Sequence, residues 1–263
     1  MKKLLITLTA LMILTGCSNT NSDPLPVNSS NSASSEELAP SSLDGLEFTT
    51  YSLPESKFYD HVEAIKLDVK EGADSVSITI ANTINKWVAE QIADFQANAK
   101  EAFKNEKYMG KVNEYNLTYD ESAISDLIYA VTFTDYRFEG GAHGSSIIKT
   151  FAFNKSNGEQ ISLISQVDPA KREEFNTAIA TALGSQAGTF GETLDDKATL
   201  ITNLNNDEYF DGWFASKADG IAIIFPQYSV GPYSSGQPAI DLTWDEVSKY
   251  FKSDSILLSE FNK

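Results

Sequence analysis

Two rhythms of apolar residues alternate along this chain. Between Phe58 and Val69, Val62, Ile65, Leu67 and Val69 stand among polar neighbours, the last three alternating as a half-buried strand requires, and Gly72 breaks the run. From Ser75 onward the spacing lengthens. Val76, Ile80, Ile84, Trp87, Val88, Ile92, Phe95, Ala99 and Phe103 recur every three or four positions, which predicts one long helix with Asp74 or Ser75 as N-cap and an end near Asn105. Residues 114–120, 126–138 and 146–154 are aromatic and β-branched between turn residues and predict three strands. Asn157-Gly158 marks a turn into a short strand at Ile161 and Leu163. Asp168-Pro169 opens a second helix, with Phe175, Ile179, Ala182 and Leu183 as its buried face and Gly184 as its end. Ala198–Leu204 suits another short helix, and Trp213–Ser216 with Ile221–Phe225 suits a hairpin. A last strand at Ile240–Leu242 precedes Thr243-Trp244-Asp245-Glu246, whose capping-box spacing introduces a final helix through Phe251. Strands outnumber helices and are joined by turns. The expected class is α+β: antiparallel sheets with one long N-terminal helix and two or three shorter ones, in two packed halves.

The first 45 residues follow neither rhythm. Lys2 and Lys3 precede an eleven-residue apolar run, Leu4–Leu14, and Leu14-Thr15-Gly16-Cys17 closes it. Eleven helical residues rise roughly 16 Å, about half the hydrocarbon core, so the run suits a signal peptide and not a span. Its last four residues resemble the bacterial lipobox, which implies cleavage before a lipid-bearing Cys17. Two or three acyl chains would anchor the protein stably outside the cytoplasm, on the cell membrane or the outer membrane. Ser18–Gly45 then holds nine serines, four asparagines and three prolines in 28 residues, a composition expected to form a disordered tether. Residues 46–145 and 146–252 are expected to be the two folded halves, and 253–263 a tail.

Charge narrows the partners. There are 37 Asp and Glu against 20 Lys and Arg, a formal net charge of −17. Loss of Lys2 and Lys3 with the leader leaves 18 bases against 37 acids, or −19. Such a surface repels phosphate backbones, so no nucleic acid is expected. With two histidines and one cysteine, neither a metal site nor a cofactor is expected. The chain lacks His-Glu-x-x-His, Gly-x-Ser-x-Gly, a phosphate-cradling glycine loop and a dinucleotide fingerprint. No catalytic residue is assigned. A hydrolase or esterase built on His143, with Ser145 or Ser146 nearby, stays open as an alternative, as does a structural lipoprotein docking to another envelope protein.

Two segments are dense in special residues. Glu139-Gly140-Gly141-Ala142-His143-Gly144 lies between two strong strands. It is either a hairpin connection or a recognition loop that offers bare backbone and an imidazole to a ligand. Tyr228-Ser229-Val230-Gly231-Pro232-Tyr233-Ser234-Ser235-Gly236 follows the strand ending at Phe225. It is either a rigid turn or an aromatic contact surface. Should both loops lie at one end of the sheet, Gly140, Gly141, His143, Gly144, Tyr228, Pro232 and Tyr233 would form one binding patch.

These segments, with Phe151-Ala152-Phe153-Asn154, Gly158 and Ile161-Ser162-Leu163, resemble the paired modules of RsiV-type anti-sigma factors and of the non-catalytic region of PdaC-type peptidoglycan deacetylases. The resemblance spans about Phe48 to Phe251, its first half PdaC-like and its second like the RsiV carboxy-terminal module. It implies an extracytoplasmic binding protein of the cell envelope that recognises lysozyme or peptidoglycan without catalysis. Past Gly45 the chain carries 18 basic against 33 acidic residues, a surface able to steer a strongly basic lysozyme.

Overall fold

The computed structural model describes residues 45–104, 113–121, 125–140, 142–186, 197–216, 218–230 and 236–261. Two sheets organise them. The larger has six strands in the order β1 (Leu46–Ser52), β2 (Tyr59–Val69), β3 (Asn113–Asp120), β4 (Ile128–Phe138), β5 (Ser145–Asn154) and β6 (Gln160–Ile161). Every neighbouring pair is antiparallel except β2 and β3, which run parallel. A parallel pair needs a long crossover, and the long helix α1 (Ser75–Lys104) supplies it. The smaller sheet is an antiparallel meander of β7 (Gly212–Ser216), β8 (Gly220–Ile224) and β9 (Ala239–Leu242).

α1 forms where the apolar stripe places it. The Asp74 carboxylate accepts from the Ser77 backbone N–H at 2.7 Å, the N-cap expected from the sequence. Ile80, Ile84, Val88, Phe95 and Ala99 are at most 2% exposed, all on one face laid against the large sheet. Asn85 fastens the helix to β2, taking the Leu67 N–H at 2.9 Å and giving to the Leu67 carbonyl at 2.8 Å.

β4 and β5 are buried on both faces, which explains the continuous apolar run at their centre. Tyr129, Val131 and Phe133, with Phe151 and Phe153, belong to the core under α1. Ile128, Ala130 and Ala152 face the other way into a second core with Phe175, Ile179, Leu183, Trp213, Ile223 and Phe225. The expected boundary between residues 145 and 146 thus falls at the start of a strand shared by both cores, and β5 pairs with β4 along its length.

The second core is covered by short pieces: α2 (Leu163–Gln166), α3 (Arg172–Gln186), α4 (Lys197–Asn203), α5 (Trp244–Val247) and α6 (Ile256–Phe261). Asp168 caps a 3-10 turn at Pro169–Lys171 that leads into α3, taking the Ala170 N–H at 2.9 Å. The structure corrects several expectations. The short helices outnumber the two or three expected. Leu163 opens α2 and does not end a strand, because Ser162 caps the helix by accepting from Ser165 N–H. Gly184 lies inside α3, which runs to Gln186. Residues 256–261, expected in a tail, form a helix whose Leu257 and Phe261 are buried, with Phe261 stacked on Trp244 at 5.8 Å. β1, unforeseen, is an edge strand with one buried residue, Leu46.

Candidate functional site

The β4–β5 turn is built by glycine. Gly140 has φ 90°, a left-handed conformation that admits glycine at low cost. Gly144 is constrained by contact: a Cβ there would overlap the hydroxyl end of the Tyr136 ring, so only glycine fits against it. Glu139 anchors the turn to α1 by accepting from the Asn98 side chain at 3.1 Å. Beneath it, Arg137 donates twice to Asp135, Nε to Oδ1 at 2.8 Å and an Nη to Oδ2 at 2.9 Å. Its guanidinium also donates to Gln91 of α1 at 2.6 Å and lies over the Tyr115 ring. The Asp135 side chain is 1% exposed, so its charge is held wholly by these partners. The Tyr115 phenol donates to Asp135 Oδ2 at 3.4 Å, and burial followed by the Asp135 charge pushes its ionisation well above the ordinary tyrosine range.

The segment after β8 arrives at the same turn. Phe225 N–H donates to the Pro238 carbonyl at 2.8 Å, closing the base of the excursion between them. Val230 is buried in the second core and holds it down. Two carboxamides then reach across to one residue of β5. Ser146 N–H donates to Gln227 Oε1 at 3.1 Å, and Gln237 Nε2 donates to the Ser146 carbonyl at 3.0 Å. β6 pairs only with residues 152 and 153 of β5, so these glutamines take the place a neighbouring strand would occupy.

That clamp brings together two of the residues singled out from sequence. His143 Nε2 lies 3.3 Å from the Tyr228 hydroxyl, and the rings face each other at 28° with centroids 6.4 Å apart. His143 Nδ1 lies 3.2 Å from the Gly144 carbonyl oxygen. The Nδ1–H tautomer satisfies both contacts: it donates to Gly144 and accepts the phenolic proton on Nε2. Tyr228 has φ 65°, and among the described residues no other non-glycine has a positive φ. That conformation costs about 1–2 kcal/mol in an L-residue. Burial returns little of it, since the residue is 58% exposed. The backbone is strained to hold an aromatic ring at the surface beside an imidazole. His143, on the turn that also carries Gly140 and Gly144, thus meets Tyr228. Gly141, Pro232, Tyr233 and Cys17 lie outside the described residues, together with the leader and all but the last residue of the tether.

The arrangement differs from a serine-type centre, where a carboxylate orients one ring nitrogen and a nucleophilic hydroxyl meets the other. Here a backbone carbonyl and a phenol stand in those positions. Among the described residues no group of three or more His, Cys, Asp or Glu is placed to hold a metal ion. No described helix is long and apolar enough to cross a membrane. The sequence did not point to Tyr136, Gln227 or Gln237, and it offered Ser146 only as a hydroxyl near His143; the signal available was the pair of glutamines bracketing the tyrosine-rich segment.

The site lies where two known modules meet. Residues 62–146 match the family model described as Deacetylase PdaC, and residues 164–245 match the one described as a protein of unknown function, DUF3298. The chain carries both matches, the first ahead of the second. His143 falls in the first match and Tyr228 in the second. The peptidoglycan-N-acetylmuramic acid deacetylase PdaC of Bacillus subtilis (strain 168) is 26% identical over 159 residues, 60% of this chain and 33% of that protein. The chain therefore spans about a third of that relative's length. Crystal structures of DUF3298 family proteins share the fold. One from Bacteroides fragilis NCTC 9343 superposes with a TM-score of 0.53 at 15% identity, covering 81% of this chain and 96% of that one. One from Pseudomonas aeruginosa PAO1 gives 0.52 at 14% identity, with coverage of 80% and 96%.

Proposed function

We propose that this protein is a non-catalytic recognition module of the cell envelope, held outside the cytoplasm by lipid on Cys17, and that its ligand is peptidoglycan. The observation that carries the reading is the exposed His143–Tyr228 pair, assembled from both modules and held by backbone and carboxamide contacts. A surface of aromatic rings and neutral donors and acceptors fits binding better than turnover. The wall as ligand draws support from the Bacillus subtilis relative, whose name specifies peptidoglycan as its substrate. The acid excess, 37 against 20, favours a second reading in which the partner is a basic protein of the lysozyme type.

Sedimentation of the full chain, in mild detergent, with purified sacculi tests the first reading, and capture on immobilised lysozyme tests the second. Retention on sacculi across moderate salt is the expected result. Capture by lysozyme alone, lost steeply as salt rises, would favour the second reading. Retention by neither, or turnover of sacculi abolished by His143→Ala, would overturn the proposal.

A further inference from the structure

Three of the sheet edges are covered or blunted. β6 is two residues long, and β9 is four residues long and carries exposed Asp241. β7 is covered by β5: the Thr150 N–H donates to the Asp211 carbonyl at 2.8 Å, and the Trp213 N–H donates to the Thr150 hydroxyl at 3.3 Å. β1 is treated otherwise. It is seven residues long, pairs with β2 without a bulge from Leu46–Val69 to Ser52–Glu63, and among the described residues has β2 as its only neighbouring strand. Its Phe48-Thr49-Thr50-Tyr51 is a strong strand-forming run, and Glu47 is its one charged residue. A long, regular and weakly charged edge is the kind that recruits another strand.

The ladder fixes which groups point outward. The Lys70 N–H donates to the Gly45 carbonyl at 2.8 Å, and the Leu53 N–H donates to the Val62 carbonyl at 3.0 Å. Odd-numbered residues from 45 to 53 therefore bond to β2, while Leu46, Phe48, Thr50 and Ser52 aim N–H and C=O away from the sheet. Pro54 comes next in that outward series and has no N–H, so the edge can pair only as far as Ser52.

An antiparallel copy of the same strand uses every one of these groups. Centred on Thr49, it sets Leu46 against Ser52 and Phe48 against Thr50, each pair exchanging two hydrogen bonds. Thr49 then meets Thr49, a favourable cross-strand pair, and Glu47 meets Tyr51. No like charges face each other, and the half-exposed Tyr51 phenol stands opposite a carboxylate able to accept from it. Other registers do worse. Centring on Phe48 leaves Ser52 opposite a residue before β1, and centring on Thr50 sets Leu46 against Pro54.

We propose that β1 is a homodimerisation edge, at which two copies of this chain join β1 to β1 antiparallel about Thr49 into one continuous sheet.

Disulfide capture in the full chain tests this, with the unsubstituted chain, whose single cysteine is Cys17, as background. Opposed residues that do not bond to each other have Cα atoms about 4.5 Å apart, within disulfide reach. Under mild oxidation Thr49→Cys is expected to give linked dimer roughly tenfold above background. Tyr51→Cys should stay at background, because the two copies of residue 51 lie four residues apart along the ladder, about 14 Å. The double variant Glu47→Cys/Tyr51→Cys should restore capture. Thr50→Pro added to Thr49→Cys should lower the yield about tenfold with the melting transition retained, since the Thr50 N–H does not serve β2. Capture at neither Thr49→Cys nor the double variant, capture at Tyr51→Cys as strong as at Thr49→Cys, or a yield that a folded Thr50→Pro variant leaves unchanged would overturn the proposal. Should Thr50→Pro fail to fold, the contrast between Tyr51→Cys and the double variant decides alone, and equal capture by those two would overturn it.

Discussion

The two faces of the β4–β5 pair differ in what they carry and in what covers them. The face under α1 is aromatic: Phe133 and Phe151 meet edge to face at 5.9 Å, and Trp87 of α1 packs on both, at 5.4 and 5.3 Å. The opposite face is small, with Ala130 and Ala152 beside Ile128, and elements of the second half close over it. One face is filled by its own large rings and roofed by a single 30-residue helix. The other is filled by large side chains brought from elsewhere in the chain, Phe175, Trp213 and Phe225 among them. Two strands therefore serve two cores, and neither half can bury its apolar surface without them.

The most severe way to challenge that picture is to cut the chain at residue 146, where the first family match ends. The fragment keeps α1 but loses Phe151 and Phe153 from one core and exposes Ile128 and Ala130 to water. It is expected to show no cooperative thermal transition by circular dichroism. A sharp melt from that fragment would mean that the first module folds alone and that the shared strands are incidental.

Next in size are single cavities, one in each core. Phe133→Ala and Phe175→Ala, both at fully buried positions, should each cost about 3–5 kcal/mol. Shared strands require that each substitution lower one common transition, followed by calorimetry with calorimetric and van't Hoff enthalpies in agreement. Two separated transitions, only one of them shifted, would show that the cores are independent. Arg137→Leu probes the same junction through charge. It strips Asp135 of its bidentate partner at 1% exposure, and breaking a buried pair by removing one member costs about 3 kcal/mol. Replacing both residues with leucine should be less damaging than replacing Arg137 alone, checked by urea denaturation of the three variants.

How much of this was legible in the sequence divides along the same line. α1 was legible because thirty residues repeat one period long enough for chance to be excluded, and Asp74 sits where a cap belongs. β3, β4, β5 and the β7–β8 hairpin were legible from aromatic and β-branched runs between turns. The roof of the second core was legible in part: α3, α4 and the capping box of α5 showed, but α2 and α6 have four and six residues, less than two turns, so no period can show itself. β1 escaped because an edge strand buries almost nothing and its Glu47-Phe48-Thr49-Thr50 does not alternate in burial. His143 and Tyr228 were visible through the unusual residues around them. The clamp that joins them was not, since Ser146 meets Gln227 and Gln237 across separations of 81 and 91 residues, information that resides in the topology.

The gentlest test compares two helix caps, one on each side of the shared strands. Asp74, at the head of α1, is held below its ordinary carboxylate value of 3.8, chiefly by the Ser77 backbone N–H at 2.7 Å. Glu246, in the first turn of α5, is held below 4.5 by the Thr243 hydroxyl and backbone N–H, at 2.7 and 2.8 Å. In both cases the folded state binds its proton less readily than the unfolded chain does. Each carboxylate therefore contributes its full stability above the ordinary value and loses it as pH falls through the depressed one. Glu246→Ala should cost about 0.5 kcal/mol near neutrality, solvent screening keeping it small, and Asp74→Ala should also destabilise. Plotted against pH, the gap between wild type and either variant should be flat above about pH 5.5 and close steadily toward pH 3. Because the strands couple the cores, both gaps should be visible in the same global unfolding transition. A Glu246→Ala effect confined to local fraying of α5, seen in amide exchange but absent from the global melt, would place that short helix outside the cooperative unit.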